Sequence, residues 1–314
     1  MADYELIGRK SRSLSGWAGD CGQEDYAVQV GADLVGAELK SLVLGREIER
    51  FEVQYITFGN IPIPHGCSTR IGGVSGGAYE SLNIGQSTAD APGYVHENRR
   101  RLGTAVGVQP VSLLDMNHGT RVVRLDRLPK GLHKGDACIT DVPGLPLMIT
   151  TADCVPLIMY DPVHKAVGLT HAGWRGTAAK IGQYTLRALN ENYGTLPEDV
   201  QVAVGPSIGP CCFEVGPEVA EQFRAAFPGQ KSLIIERLML KSEQELLQKK
   251  ENILKLYVNL WRANLLTLLE AGIPAGNIRF SGLCTMCRRG LFYSYRRDQR
   301  VTGRIATLAM LPDF

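Results

Sequence analysis

The stretch from Ile149 to Thr177 constrains the fold more than any other part of the chain. It reads Ile-Thr-Thr-Ala-Asp-Cys-Val-Pro-Leu-Ile-Met-Tyr-Asp-Pro and, after a short connection, Val-Gly-Leu-Thr-His-Ala-Gly-Trp-Arg-Gly-Thr. Val155, Leu157, Ile158 and Met159 form an apolar, strand-like run. Asp161-Pro162 is a turn signal, and Ala166 to Leu169 is a second short run. Cys154 is therefore expected at the start of one strand and His171 at the end of the next. If the strands are antiparallel neighbours, both residues fall at one edge of a sheet. A soft thiolate and an imidazole brought together there make either a nucleophile pair or two-thirds of a zinc site.

Composition sets the class. The 314 residues are 44% hydrophobic and 21% charged, an ordinary globular balance that allows one large domain or two smaller ones. With 34 basic and 32 acidic side chains the formal net charge is +2, so no nucleic-acid or membrane partner is implied. There is no apolar run of the ~20 residues a membrane helix needs, and Met-Ala-Asp-Tyr-Glu is no signal-peptide core. A cytoplasmic location is expected. The eight cysteines then read as reduced thiols or ligands rather than disulfides.

Residues 1–57 form an N-terminal extension to which no chemistry attaches. Tyr26 to Val30 and Phe51 to Phe58 alternate like strands, and Gly16-Trp17-Ala18-Gly19 reads as loop. The segment is an extra strand layer or a leader. From Phe58 the texture changes. Cys67 to Gly77 is a glycine-rich loop, followed by Ser81-Leu82-Asn83-Ile84-Gly85. Its amides could approach a ligand and Arg70 could offer a planar fork to an oxyanion, although composition alone reads first as a tight surface turn with a solvated arginine. Pro92 to Val106 has helical character. Asp115-Met116-Asn117-His118-Gly119-Thr120 leads into a strand at Val122, Val123 and Leu125. A lone histidine before a glycine is more often a satisfied polar residue than a ligand.

Downstream, Ala172 to Asn192 is expected to be one helix closed by Gly194, with His171 at a strand–helix junction. Val202 to Val204 is a short strand running into the rigid Gly205-Pro206-Ser207-Ile208-Gly209 loop, where Ser207 could help cradle an anion or serve a plain turn. Residues 231–256 look like a charged surface helix or excursion, and Leu260 to Ala271 like an amphipathic helix stopped at Gly272 and Pro274. Cys284-Thr285-Met286-Cys287, with Cys211-Cys212, could form a second, tetrahedral zinc site. A single Cys-x-x-Cys without a clear partner pair is read first as structural thiols.

Several motifs in one order make the chain resemble a known family. They are Thr69-Arg70-Ile71-Gly72-Gly73-Val74-Ser75, His118-Gly119, Asp136-Ala137-Cys138-Ile139-Thr140, Ala152-Asp153-Cys154, Thr170 to Gly176, Gly205 to Gly209, and Tyr295-Arg296-Arg297-Asp298. Together they resemble the laccase-like multicopper polyphenol oxidase family, of the peptidoglycan-editing-factor type. Its members are now regarded as purine nucleoside phosphorylases with adenosine deaminase activity. The resemblance covers residues 58–314. It implies a single α+β domain of mixed sheets sandwiched between helices, a cysteine-hydrolase-like αββα architecture. It also implies a metal held by His118, Cys154 and His171, with zinc the expected ion and copper able to occupy the same site. Two departures stand out: Met116 where the family usually has Gln, and Asn259 where it often has Asp.

Two imidazoles and a thiolate leave zinc an open position, the pattern of a catalytic site, at which a bound water reaches a pKa of roughly 7. The first reading is a zinc-dependent purine nucleoside phosphorylase. It would convert adenosine, inosine or methylthioadenosine to free base and ribose 1-phosphate, and would also deaminate adenosine. The small-molecule partners are then a purine nucleoside and phosphate. Arg70, Asn83, Asp136 and Ser207 are the candidate substrate residues, with Arg175 and Arg297 behind them. Asp136 or Asp153 is the candidate for proton handling. The alternative is a Cys–His hydrolase, with Cys154 activated by His171, acting on a peptidoglycan precursor. A true copper-dependent polyphenol oxidase stands third. Only scattered His65, His96, His133 and His164 are left once His118 and His171 are assigned. The sequence leaves the oligomeric state open.

Overall fold

The computed structural model describes residues 5–13, 34, 36–46, 49–239 and 253–313. Period-two alternation in the strands builds the architecture. In the strand Val155–Asp161, Leu157 and Met159 point into one apolar cluster while Ile158 and Tyr160 point into another. Every residue of this strand is buried, which places it in the middle of a layered structure rather than on a wetted face.

That strand belongs to a six-stranded mixed sheet. Its order is Ile278–Phe280, Gln201–Val204, Val155–Asp161, Ala166–Ala172, Ala137–Thr140, Val122–Arg124. The two outermost pairings are parallel and the inner ones antiparallel. A second six-stranded sheet is antiparallel throughout. It runs Glu5–Ser13, Ala37–Arg46, Glu49–Phe58, His65–Ser68, Ile305–Ala309, Leu147–Thr151. Ile56, Cys67, Leu147 and Ile305 of this sheet share one core with Cys138, Ile158, Val167 and Ala203 of the first, so the two sheets pack face to face.

Helices cover both outer faces. Helix Ile181–Tyr193 and helix Leu260–Glu270 bury Ile181, Leu186, Leu265 and Leu268 against Leu157, Val202 and Phe280. On the far side, helix Pro92–Val106 lays Leu102, Ala105 and Val106 onto Leu42, Val53 and Leu308. The layering is the mixed αββα sandwich that the motifs imply, built as one domain.

Three expectations need restating. The single helix expected from Ala172 to Asn192 is a strand end at Ala172 followed by two helices, Trp174–Ala178 and Ile181–Tyr193. The break is Lys180 in the left-handed region (φ 58°), its ammonium 2.6 Å from Glu270. A left-handed residue cannot continue a right-handed helix, so the segment divides there. In place of a helix across 231–256, the strands Ile234–Met239 and Ile253–Val258 pair antiparallel. The charged residues that suggested a helix, Glu243 to Lys250, lie outside the described residues. Residues 1–57 supply three strands of the second sheet, and the boundary expected after residue 57 falls at the end of the strand Glu49–Phe58. Tyr26 to Val30 and Gly16 to Gly19 lie outside the described residues.

Candidate metal centre

The hairpin places two of the three expected ligands. In the antiparallel register Val155 lies opposite Ala172 and Pro156 opposite His171. Cys154, one residue before the first strand, therefore sits at the sheet edge where the second strand ends. Asp161 closes the other end by accepting the backbone N–H groups of Val163 and His164 at 2.8 and 3.0 Å, a side-chain-capped turn.

His118 arrives from a separate loop, and Asp136 fixes it. Strand Ala137–Thr140 pairs with Ala166–Ala172, which sets Asp136 beside His171. The fully buried Asp136 carboxylate accepts the backbone N–H groups of His118 and Gly119 at 2.8 and 2.7 Å. Its Oδ1 lies 2.9 Å from Nδ1 of His171, and its backbone carbonyl accepts the His171 N–H at 2.7 Å. One carboxylate thus positions both imidazoles. His118 itself takes a left-handed backbone (φ 63°), an uncommon conformation outside glycine that aims the ring inward.

The result is a compact donor set. The ligand atoms of His118, Cys154 and His171 all lie within 4.8 Å of one another, and the two imidazole rings meet edge-on at 66° with centroids 4.8 Å apart. His171 is buried, Cys154 half-buried and His118 exposed, so the group opens to solvent on the His118 side. Gly173 makes this closeness feasible: a Cβ there would stand 2.4 Å from Nδ1 of His118 and 3.4 Å from Sγ of Cys154. With Nδ1 of His171 engaged by Asp136, its Nε2 is the free donor, the carboxylate–histidine arrangement common behind metal ligands. Two imidazole nitrogens and one thiolate suit zinc, and also a copper ion.

The electrostatics agree with that chemistry. Burial raises the Cys154 thiol, but the charge of His171 and hydrogen bonds from both imidazoles outweigh it and bring the pKa down to about 6. Burial likewise lowers His171, and the Cys154 thiolate together with Asp136 more than reverses this, raising it to about 9. Asp136 is penalised by burial yet held below the usual carboxylate range by His171 and the loop amides. The buried Cys67 and Cys138 thiols are instead pushed up to about 12 by burial. They behave as inert core residues.

The remaining sequence candidates are placed differently. Both carboxylates considered for proton handling face internal donors. Asp136 is used as described, and Asp153 (φ 87°) accepts the hydroxyls of Thr285 and Ser294 and the N–H of Arg296 at 2.6, 3.0 and 2.7 Å. Ser207 is fully buried, its Oγ accepting the indole N–H of Trp261 at 2.7 Å. Asn83 is also buried, bonded to Thr88 and Asp90 through its amide and to the N–H groups of Gly85 and Arg304 through its oxygen. Arg70 donates to the carbonyls of Glu80 and Arg289 and stacks over the Tyr293 ring at 4.7 Å. These three residues brace loops with the groups the sequence offers to a substrate.

Arg304 is a cation near the centre that residue-type reasoning passed over. Burial lowers its pKa, while Tyr295, Cys154 and Asp153 nearby favour its charged form. Its side chain packs where Gly85 leaves room, since a Cβ there would lie 2.6 Å from Cγ of Arg304. Nothing local in the sequence marks it, since one arginine after Thr302-Gly303 makes no pattern that points to a site. The role of Gly173 was equally invisible, because it depends on a close approach across three segments.

Fold and site together define a class: an αββα protein with a cysteine and two histidines gathered at a sheet edge, a donor set that could hold a metal, braced by one buried carboxylate. The chain belongs to the family described as multi-copper polyphenol oxidoreductase laccase, whose model matches residues 64–312. A purine nucleoside phosphorylase of Deinococcus radiodurans is 39% identical over 255 residues, covering 81% of this chain and 91% of that protein. The purine nucleoside phosphorylase YfiH of Escherichia coli is 35% identical over 246 residues, covering 78% and 92%. Among solved structures, YlmD from Geobacillus stearothermophilus superposes with a TM-score of 0.71 at 30% identity, covering 86% of this chain and 98% of that one. The resemblance drawn from the motifs is borne out at the level of family and fold.

Proposed function

We propose that the chain is a zinc-dependent purine nucleoside phosphorylase, releasing the free base and ribose 1-phosphate from adenosine, inosine or methylthioadenosine. Adenosine deamination is assigned to the same centre. The observation that carries the reading is the open cluster of His118, Cys154 and His171, whose donor atoms fit one small ion while the exposed His118 side admits a ligand. The phosphorylase names of relatives aligned over most of the chain support the reaction class.

When bound at this centre, zinc supplies positive charge and Lewis acidity for a departing purine or an activated water. The protein's own groups do the positioning. Asp136 keeps the proton of His171 on Nδ1 and leaves Nε2 as donor, so the buried imidazole cannot rotate away. A phosphate oxygen attacks the anomeric carbon as the glycosidic bond breaks, and the electron pair leaves on the purine. That step needs a cation for the phosphate, and Arg304, whose guanidinium lies 5.6 Å from the Tyr295 ring, takes the role in this proposal.

The Cys–His hydrolase reading has one observation of its own. In the absence of metal, the lowered Cys154 and raised His171 describe a thiolate–imidazolium pair. The oxidase named in the family description finds less support. His65 is buried between Phe58 and Ile63 and His164 is bound to Asp161, both apart from the centre.

The test is purine release from adenosine and inosine, with and without phosphate, on protein of known metal content. Ribose 1-phosphate formed only with phosphate, and lost on chelation and in Cys154→Ala, is the expected result. Zinc-loaded protein that turns over no purine nucleoside would overturn the proposal. Chelator-insensitive amide hydrolysis blocked by Cys154 alkylation would put the hydrolase in its place.

A further inference from the structure

We infer that Cys211, Cys212, Cys284 and Cys287 form a second, closed zinc site that clips together the two loops behind the His–Cys–His centre. The four sulfurs lie within 4.8 Å of one another. Cys287 Sγ stands 3.6 Å from Cys211 Sγ and 3.4 Å from Cys212 Sγ. Four thiolates at about 2.3 Å from a tetrahedral zinc stand about 3.8 Å apart, so the spacing already matches a filled site. It is far from a disulfide's S–S length of about 2.05 Å, and all four are free thiols.

The surroundings are those of a ligand set rather than of stray core cysteines. The Gly209 N–H donates to Cys284 Sγ at 3.2 Å, the outer-shell support that a thiolate ligand uses. Gly209 packs tightly on the cluster, since a Cβ there would stand 3.0 Å from Cys211 Sγ and 3.3 Å from Cys284 Cβ. A zinc tetrathiolate carries two negative charges. Two guanidinium groups meet the same loops: Arg237 donates to the Cys211 carbonyl at 3.2 Å, and Arg297 to the carbonyls of Thr285 and Met286 at 3.0 and 3.1 Å. With four protein ligands no position is left for water, so the site is structural. Binding would release the protons of the four thiols.

The sequence offers these four cysteines as a zinc site only behind structural thiols, because the second half is an adjacent Cys-Cys pair rather than a Cys-x-x-Cys. The fold supplies the missing proximity. Strands Gln201–Val204 and Ile278–Phe280 are parallel neighbours, so the loops that follow them emerge side by side. Those loops also reach the first centre. The Ile208 N–H donates to the Asp153 carbonyl at 2.9 Å, and Thr285, inside the Cys-x-x-Cys, donates its hydroxyl to the Asp153 carboxylate. Asp153 precedes Cys154. The clip thus holds the backbone that presents the first thiolate.

The experiment separates the two centres, and the nucleoside assay plays no part in it. A His118→Ala/His171→Ala variant of the full chain, produced with zinc and freed of loosely held metal by gel filtration, is analysed for zinc and by zinc X-ray absorption. One zinc per chain with four sulfur neighbours at about 2.3 Å is expected. Adding Cys212→Ser/Cys287→Ser should remove that zinc and lower the thermal midpoint. A folded His118→Ala/His171→Ala variant holding no zinc, or zinc in a nitrogen- or oxygen-containing shell, overturns the proposal. So does a disulfide among the four cysteines in peptide maps of protein alkylated without reductant, or an iron–sulfur chromophore in place of zinc.

Discussion

At Asp136 a single carboxylate meets four N–H donors: the backbone of Asn117, His118 and Gly119, and Nδ1 of His171. Asp136→Asn would keep the shape but turn one acceptor into a donor aimed at groups that are themselves donors. Metal affinity and activity are expected to fall by about 10- to 100-fold, the usual cost of losing such an outer partner. Zinc competition titration beside the steady-state rate checks it, and unchanged zinc affinity would deny Asp136 its positioning role. Gly173→Ala makes a sharper demand. The added methyl would lie 2.4 Å from the His118 ring, so the imidazole must leave the cluster. Zinc at this centre should drop to sub-stoichiometric levels while the fold, read by circular dichroism, stays intact.

Among the elements, helix Leu260–Glu270 shows what the sequence made legible and what it concealed. Its bounds were readable because Gly272 and Pro274 stop the apolar spacing. The departure from the family at Asn259 also has a physical account. Asn259 is the N-cap, its Oδ1 accepting the Arg262 N–H at 3.0 Å, a task that either Asn or Asp performs. Asn259→Ala should therefore cost about 1 kcal/mol, or up to about 2 at so buried a cap, measured as a shift in urea midpoint at unchanged slope. The hairpin bearing Cys154 and His171 was legible as two apolar runs about the Asp161-Pro162 turn, and the antiparallel register that the reading made a condition is the one found. His118 was not: its place depends on long-range bonds to Asp136 that no local pattern records. Nor was the loop from Ser294 to Arg304. There Asp298 binds Arg297 through both carboxylate oxygens at 2.8 Å and Thr302 at 2.9 Å, and these outweigh burial to hold its pKa below the usual range. A carboxylate with a depressed folded pKa stabilises above its unfolded value of about 3.9 and loses that stabilisation as pH falls through the folded value. The native protein should weaken on acidification below about pH 4. In Asp298→Asn that part of the slope should vanish, and a slope equal to the parent's would exclude this contribution.

For the molecule as a whole, the question is whether residues ahead of the family match at residue 64 belong to the fold. Strands Ala37–Arg46 and Glu49–Phe58 pair over ten residues and continue the sheet that carries His65–Ser68. Their inward side chains are core: Leu39, Ile56 and Phe58 enter the layer between the sheets, while Leu42, Leu44 and Val53 lie under helix Pro92–Val106. The Phe58 N–H also donates to Nε2 of the buried His65 at 2.9 Å, tying the segment to the first strand of the matched region. Deleting residues 1–58 would bare both faces of that sheet edge and leave His65–Ser68 with unpaired backbone groups, a template for association. The shortened chain is expected to aggregate or to lose most of its cooperative unfolding transition, read by size-exclusion chromatography and urea denaturation. Neither candidate donor cluster draws a residue from the deleted part, so this loss would be one of folding rather than of chemistry. A soluble, monodisperse 59–314 chain with the parent's urea midpoint would show instead that the rest of the two sheets stands without these strands, and that the extension is an accessory layer.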